Sequence, residues 1–223
     1  MIAEYFLSLD PLALLRAMPG TAAQGIIWGI MALGVYITFR ILDFPDLTVD
    51  GSLATGAATA VMLIQSGMNP ALSLVFSLLA GMAAGVVTGP LHTGLGIPGI
   101  LASILTQVSL YSVNLGIMGK SNQGISLTQQ GLVASSRYVT GDGRALFFLK
   151  LILGCLILVA IVYWFFGTEM GASIRATGCN PQMARAQGIN TNYTKVLALT
   201  ISNGLVGLCG GILAQYQGAA DVN

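Results

Sequence analysis

An all-α integral membrane protein, a polytopic helical bundle of about six segments with one of them short or broken, is the fold class this chain predicts. Two observations carry the prediction. Apolar residues make up 55% of the 223 residues and charged ones only 8%, against roughly 25% charged in a typical soluble domain. Between Asp50 and Lys120 run 69 residues without an Asp, Glu, Lys or Arg, whereas one helical crossing needs only ~20 apolar residues. The apolar runs are continuous, which excludes barrel strands alternating over ~10 residues and leaves helices as the way to satisfy a backbone in lipid.

The segments follow in order. The first 18 residues lack a basic start, and Asp10-Pro11 interrupts their apolar run, so they read as an interfacial lead-in rather than a cleavable signal peptide. Full spans are predicted over Gly20–Phe39, Pro70–Leu91, Pro98–Met118, Ala145–Gly167 and Val196–Gln217, and a short one over Ser52–Ser66. Of the 17 charged residues only Lys150 falls inside a span, near an end where its long side chain reaches the interface. Ser52–Ser66 is too short for an untilted crossing and reads as broken or partly re-entrant. Gly81, Gly85 and Gly89 repeat at four-residue intervals, a face that lets another helix approach closely. With no internal repeat or low-complexity linker, residues 1–223 form one membrane domain.

Several function classes fall away. A net charge of +1 and the lack of a basic cluster give no sign of nucleic acid or of a lipid-headgroup patch. His92 is the single histidine, and Cys155, Cys179 and Cys209 show no metal-ligand spacing, so neither a triad nor a His- or Cys-based metal site is expected. Gly94-Leu95-Gly96-Ile97-Pro98-Gly99 spells the dinucleotide fingerprint, but both flanks are membrane segments, so it reads as a tight helix connection. Asn114 to Ser121 ends like a phosphate-binding loop, yet Asn114 replaces the first required glycine. Any ATP hydrolysis linked to this chain therefore belongs to another polypeptide.

Two stretches remain as candidate sites. Asp43, Asp46 and Asp50, followed by Gly51 and Ser52, form an acidic turn before the short segment. Their spacings of three and four would align three carboxylates on one helical face, while Pro45 and Gly51 argue against a regular helix there. Cation coordination, lining or gating of a solute path, and turn formation with interfacial anchoring are the readings open, with Asp50-Gly51-Ser52 as a cap for the short segment.

The second stretch, Thr168 to Ile189, is a polar loop between two apolar segments. Asn180 suits an N-cap, Pro181 the first helical position and Gly188 a left-handed C-terminal residue, delimiting a helix of seven residues, Pro181–Gln187. So short a helix is unstable alone and needs a surface or a partner. Charge does not orient the bundle. Arg40, Arg175, Arg185 and Lys195 lie on the side of this loop, and Arg16, Lys120, Arg137, Arg144 and Lys150 on the other.

The run Gly171, Arg175-Ala176, Gly178, Asn180-Pro181, Ala184-Arg185 and Gly188-Ile189 resembles the cytoplasmic loop of permeases from bacterial ABC importers of the branched-chain amino acid and ribose type. Gly34-Val35-Tyr36 through Arg40 and Asp43 to Gly51-Ser52 is similar to a branch of that family with aromatic or other amino acids as cargo. The resemblance implies the type II importer permease fold in the bacterial inner membrane, with residues 168–195 as a cytoplasmic coupling loop and no enzymatic role for this chain. It implies as partners a second permease copy or homologue, two cytoplasmic ATPases that bind the ATP and Mg, and an extracytoplasmic solute-binding protein. In it, Gly171, Arg175, Ala176, Gly178, Asn180, Pro181, Ala184, Arg185 and Gly188 shape or contact the ATPase groove. Family members usually continue through further helices, whereas this chain stops six residues after Gln217, which reads as truncation. Two other functions stand beside this one: an ion-coupled secondary transporter or channel using the Asp43/Asp46/Asp50 turn, and a membrane scaffold offering the capped loop as an anchor.

Overall fold

The computed structural model describes residues 11–125, 132–136 and 144–221. Helix α1, Pro11–Tyr36, runs on into a π-helical turn, Ile37–Ile41; α2 is Thr48–Gln65, α3 Pro70–Thr93, α4 Gly99–Met118 and α5 Arg144–Gly167. Two short helices follow, α6 Glu169–Cys179 and α7 Pro181–Ala186, and then α8 Thr191–Gln217. A short strand after α4, β1 Asn122–Gly124, pairs antiparallel with β2 Ala219–Asp221, Gln123 opposite Ala220. Among the described residues five helices are long and apolar enough to cross a membrane: α1 from Ala17 through its π turn, α3, α4, α5 from Ala145, and α8.

Local chemistry sets the helix boundaries. Asn69 Oδ1 accepts from the Ala71 N–H at 2.9 Å and Pro70 takes the first position of α3. Gly94 closes α3, Gly96 turns the chain at φ +68°, and Pro98 precedes α4, the tight connection expected of the glycine-rich letters there. His92 sits in the last turn of α3. Its Nδ1 faces the Ile97 carbonyl at 2.8 Å, which requires Nδ1 to carry the proton, and Lys195 Nζ donates to Nε2 at 3.1 Å.

α8 is the axis of the bundle, and glycine lets its neighbours reach it. A Cβ on Gly81 would run into the Asn203 carbonyl, one on Gly85 into the Leu199 carbonyl, and one on Gly89 would lie 2.7 Å from a Val196 methyl. From α2, Gly56 meets the Gly207 backbone and Leu53 meets Gly210 in the same way. Lipid tails are as apolar as leucine, so association rests on this close packing and on polar glue. The glue is hydroxyl: Ser202 donates to the Gly34 carbonyl at 2.7 Å, Ser77 to the Gly56 carbonyl at 2.9 Å, and Thr48 pairs with Thr88 at 2.9 Å. α5 stays outside, against α1 and α6.

The contacts also set direction. α3 runs antiparallel to α8, α2 runs parallel to it, and Tyr216 near the end of α8 donates to the Gly20 carbonyl near the start of α1 at 3.1 Å. One end of the bundle therefore carries the acidic turn, α6 and α7, and the other carries the β1–β2 pair.

Four sequence expectations change. The short segment is an unbroken helix beginning at Thr48, 18 residues or ~27 Å, close to the thickness of a bilayer core. Asp50, Gly51 and Ser52 lie inside it rather than capping it; the cap is Asp46, whose Oδ1 accepts from the Thr48 N–H at 2.9 Å. Half of the polar loop is helical too, because Thr168 caps α6 and Ile174 and Thr177 give it a buried face. The N-terminal lead-in is helical from Pro11, with residues 1–10 outside the described residues, as is Arg137.

Candidate functional site

The capped helix predicted at Pro181 forms as α7 and ends at Ala186, with Gln187 as its C-cap. Asn180 Oδ1 accepts from the Gln182 and Met183 N–H groups at 3.1 and 3.0 Å. Gly188 takes φ +84°, and the Gly188 and Ile189 N–H groups donate to the Arg185 and Ala184 carbonyls at 3.0 Å each, closing the helix in a Schellman motif. Six residues cannot hold a helix by themselves, so α7 leans on the bundle through buried Ala184 and through Arg185 Nε, which donates to Thr191 Oγ1 at 2.7 Å.

Behind α7, α6 ties this short helix to three spans. Gly178 lies against the Ile41 carbonyl at the end of the α1 π turn, where a Cβ would not fit. Gly171 lies against Phe165 and Phe166 at the end of α5, Arg175 Nη1 donates to the Phe166 carbonyl at 2.6 Å, and Thr177 pairs with Thr194 of α8 at 2.9 Å. The nine loop residues singled out from the sequence thus divide by position. Gly171, Gly178 and Ala184 are packing positions, Arg175 and Ala176 lie on α6 with Arg175 latched to α5, and Asn180, Pro181, Arg185 and Gly188 are exposed around α7. The residue missed was Met183, 60% exposed in the middle of α7. An apolar side chain left bare on a short polar helix was the available signal.

The three carboxylates of the acidic turn do not come together. Asp43 is exposed, with φ 54° in the left-handed region that Asp tolerates. Asp46 is 2% exposed, and Asn203 Nδ2 donates to its Oδ2 at 2.8 Å. Burial raises the Asp46 carboxyl above the usual carboxylate range, and the hydrogen bonds from Thr48 and Asn203 oppose that shift. Asp50 is exposed on the first turn of α2, its Oδ2 3.5 Å from Gln107 Nε2. The three do not share a helical face, in keeping with the argument from Pro45; only Asp50 is helical, and Gly51 does not prevent the helix from forming there. The described residues hold no group of three His, Cys, Asp or Glu suited to a cation.

Two features of the turn do converge on α8. Ser52 Oγ donates to Asn203 Oδ1 at 2.6 Å while Asn203 Nδ2 reaches Asp46 and the Leu199 carbonyl, so one amide joins the turn, α2 and the central helix. Asp50 and Gly51, by contrast, line an open cleft of about 620 Å³ between α2, α4, α8 and β2. Gly51 packs on α4, where a Cβ would sit 3.2 Å from the Gln107 Cα. Gln107, Tyr111 and Asn114 of α4 form the facing wall. Asn203 and Asn114 escaped the sequence reading because it screened the spans for charge; an uncharged amide inside an apolar run was the signal.

The chain matches the family described as "Branched-chain amino acid transport system / permease component" over residues 18–223. It is 40% identical over 201 residues to a tyrosine transport system permease protein of Clostridioides difficile, covering 90% of this chain and 65% of that one. It is 34% identical to an uncharacterized protein of Rickettsia prowazekii, covering 90% of this chain and 68% of the other. An autoinducer 2 import system permease protein of Yersinia pseudotuberculosis is 31% identical, over 85% of this chain and 52% of its own length. The chain thus spans between about half and two thirds of these relatives, and no solved structure matches it. Matched over nearly its whole length, and with five helices among the described residues apolar enough to cross, the chain belongs to the branched-chain amino acid transport system permease family, as a multi-pass protein of the inner membrane.

Proposed function

We propose that this chain is a permease subunit of an ATP-driven importer of a small solute, an amino acid. A second permease copy or homologue completes the membrane domain, two cytoplasmic ATPases bind ATP and Mg, and an extracytoplasmic solute-binding protein delivers the cargo. The observation that carries the reading is α7: a doubly capped stub, exposed at Met183 and backed by α6 against the ends of α1, α5 and α8. A force on α7 reaches those three helix ends through the contacts of α6. From α8 it meets Asn203, which holds the acidic turn and the α2 wall of the cleft. The amino acid cargo is supported by the tyrosine permease relative. An ion-coupled transporter finds less support, since the acidic residues of the turn point to three different surroundings.

Docking is tested by Met183→Glu and Arg185→Glu in the chain co-expressed with its ATPase. Both are expected to cut co-purification of the ATPase at least ten-fold while the membrane domain keeps its elution profile; wild-type co-purification in both variants would remove the docking assignment. Exposed Cys179 tests sidedness in a Cys155→Ser background, with Cys209 buried. A membrane-impermeant maleimide added to intact cells is expected to leave Cys179 unlabelled, and labelling from outside overturns the reading.

A further inference from the structure

Among the described residues the bundle satisfies its buried amides with one exception. Asn203 bonds Asp46, Ser52 and the Leu199 carbonyl. Gln215 donates to the Pro70 carbonyl at 2.9 Å and to Ser73 Oγ at 3.2 Å, and accepts from the Val133 N–H at 3.0 Å. Asn114 is as buried as these, 0% exposed, yet neither its Oδ1 nor its Nδ2 has a partner among the described residues. A buried polar group is ordinarily paired, and one left idle inside a membrane bundle calls for a reason.

Its position supplies one. Asn114 lies in the wall of the 620 Å³ cleft, which Asp50 also lines from the opposite helix. Asp50 has only the long 3.5 Å approach of Gln107 Nε2, and no Lys or Arg lines the cleft among the described residues. Leu53, Val108, Tyr111 and Leu213 make most of the remaining surface apolar. A carboxylate with no facing cation favours a cation, an idle amide offers two N–H donors and a carbonyl acceptor, and an apolar wall suits an apolar body.

Resting on the permease reading above, we propose that this cleft is a cargo site for small primary amines with an apolar body, the ammonium group on Asp50 and a second polar group of the cargo on the Asn114 amide. Gln107 and Tyr111, on the same face of α4 as Asn114, shift to admit that second group. The site therefore selects for the amine end of its ligand and tolerates loss of a carboxylate.

Equilibrium binding to the full chain in nanodiscs tests this with three radiolabelled probes that share one ring: L-tyrosine, tyramine and 3-(4-hydroxyphenyl)propionate. Tyrosine and tyramine are expected to bind and the propionate not to. Asp50→Asn is expected to weaken tyramine at least ten-fold. Asn114→Leu is expected to weaken tyrosine about five-fold without lowering the melting temperature, because leucine replaces an unpaired amide with an apolar group of similar volume. Equal binding of amine and acid, wild-type affinity in both variants, or binding of none of the probes at millimolar concentration overturns the proposal. If ATPase association holds in the wild type while these binding results fail, the cleft assignment falls and the permease reading stands; if association with the ATPase is absent while amines bind, the reverse holds.

Discussion

α5 and α8 both read from sequence as membrane spans, and they occupy opposite places in the bundle. In α5 only 6% of the most apolar stretch is buried, and Leu149, Leu153, Leu156 and Ile161 are among its exposed side chains. In α8, less apolar and richer in glycine and hydroxyls, the figure is 72%. Apolarity reports compatibility with lipid, whereas small and hydrogen-bonding residues report compatibility with other helices. Of these two spans, the one at the centre of the bundle is therefore the one that looks less like a membrane span.

The contrast is easiest to break with one substitution made in two helices. Gly85→Leu places a side chain against the Leu199 carbonyl and Thr200 Cα, whereas Gly154→Leu on α5 meets nothing within 4 Å. The first is expected to cost about 3 kcal/mol or more and to abolish a monodisperse peak in detergent size-exclusion chromatography, and the second to leave the peak unchanged. Equal behaviour of the two would remove α8 from the centre. Asn203→Leu comes next: it takes a donor from buried Asp46 and an acceptor from Ser52, for an expected loss of about 2 kcal/mol by denaturant titration. The smallest effect is expected of Leu153→Ala, 54% exposed on α5, within about 0.5 kcal/mol in the same titration. A larger loss there would mean that α5 is covered by protein.

Much of the architecture was legible because membrane insertion constrains composition directly. Continuous apolar runs located the spans, the repeat of Gly81, Gly85 and Gly89 announced a close helix contact, and Asn180, Pro181 and Gly188 delimited α7 to within a residue. Cap chemistry is local, so it can be read locally. The legible part of the candidate sites was the same kind of feature: the exposed stub and the presence of carboxylates in one turn.

The rest depended on which segments meet. α6 was hidden because Gly171 and Gly178 weaken a helix in isolation; both are required where the helix touches the ends of α5 and α1. The separate fates of Asp43, Asp46 and Asp50 follow from a turn that is irregular up to Leu47 and helical after it, and from Asn203, far along the chain, which draws Asp46 inward. Asn114 and Asp50 become walls of one cleft only through the packing of α4 beside α2. Composition and capping act over a few residues and fixed the spans and the stub. Partners distant in sequence are chosen by the geometry of the whole bundle, because a glycine or an amide shows what it accommodates only when the opposing helix is in place.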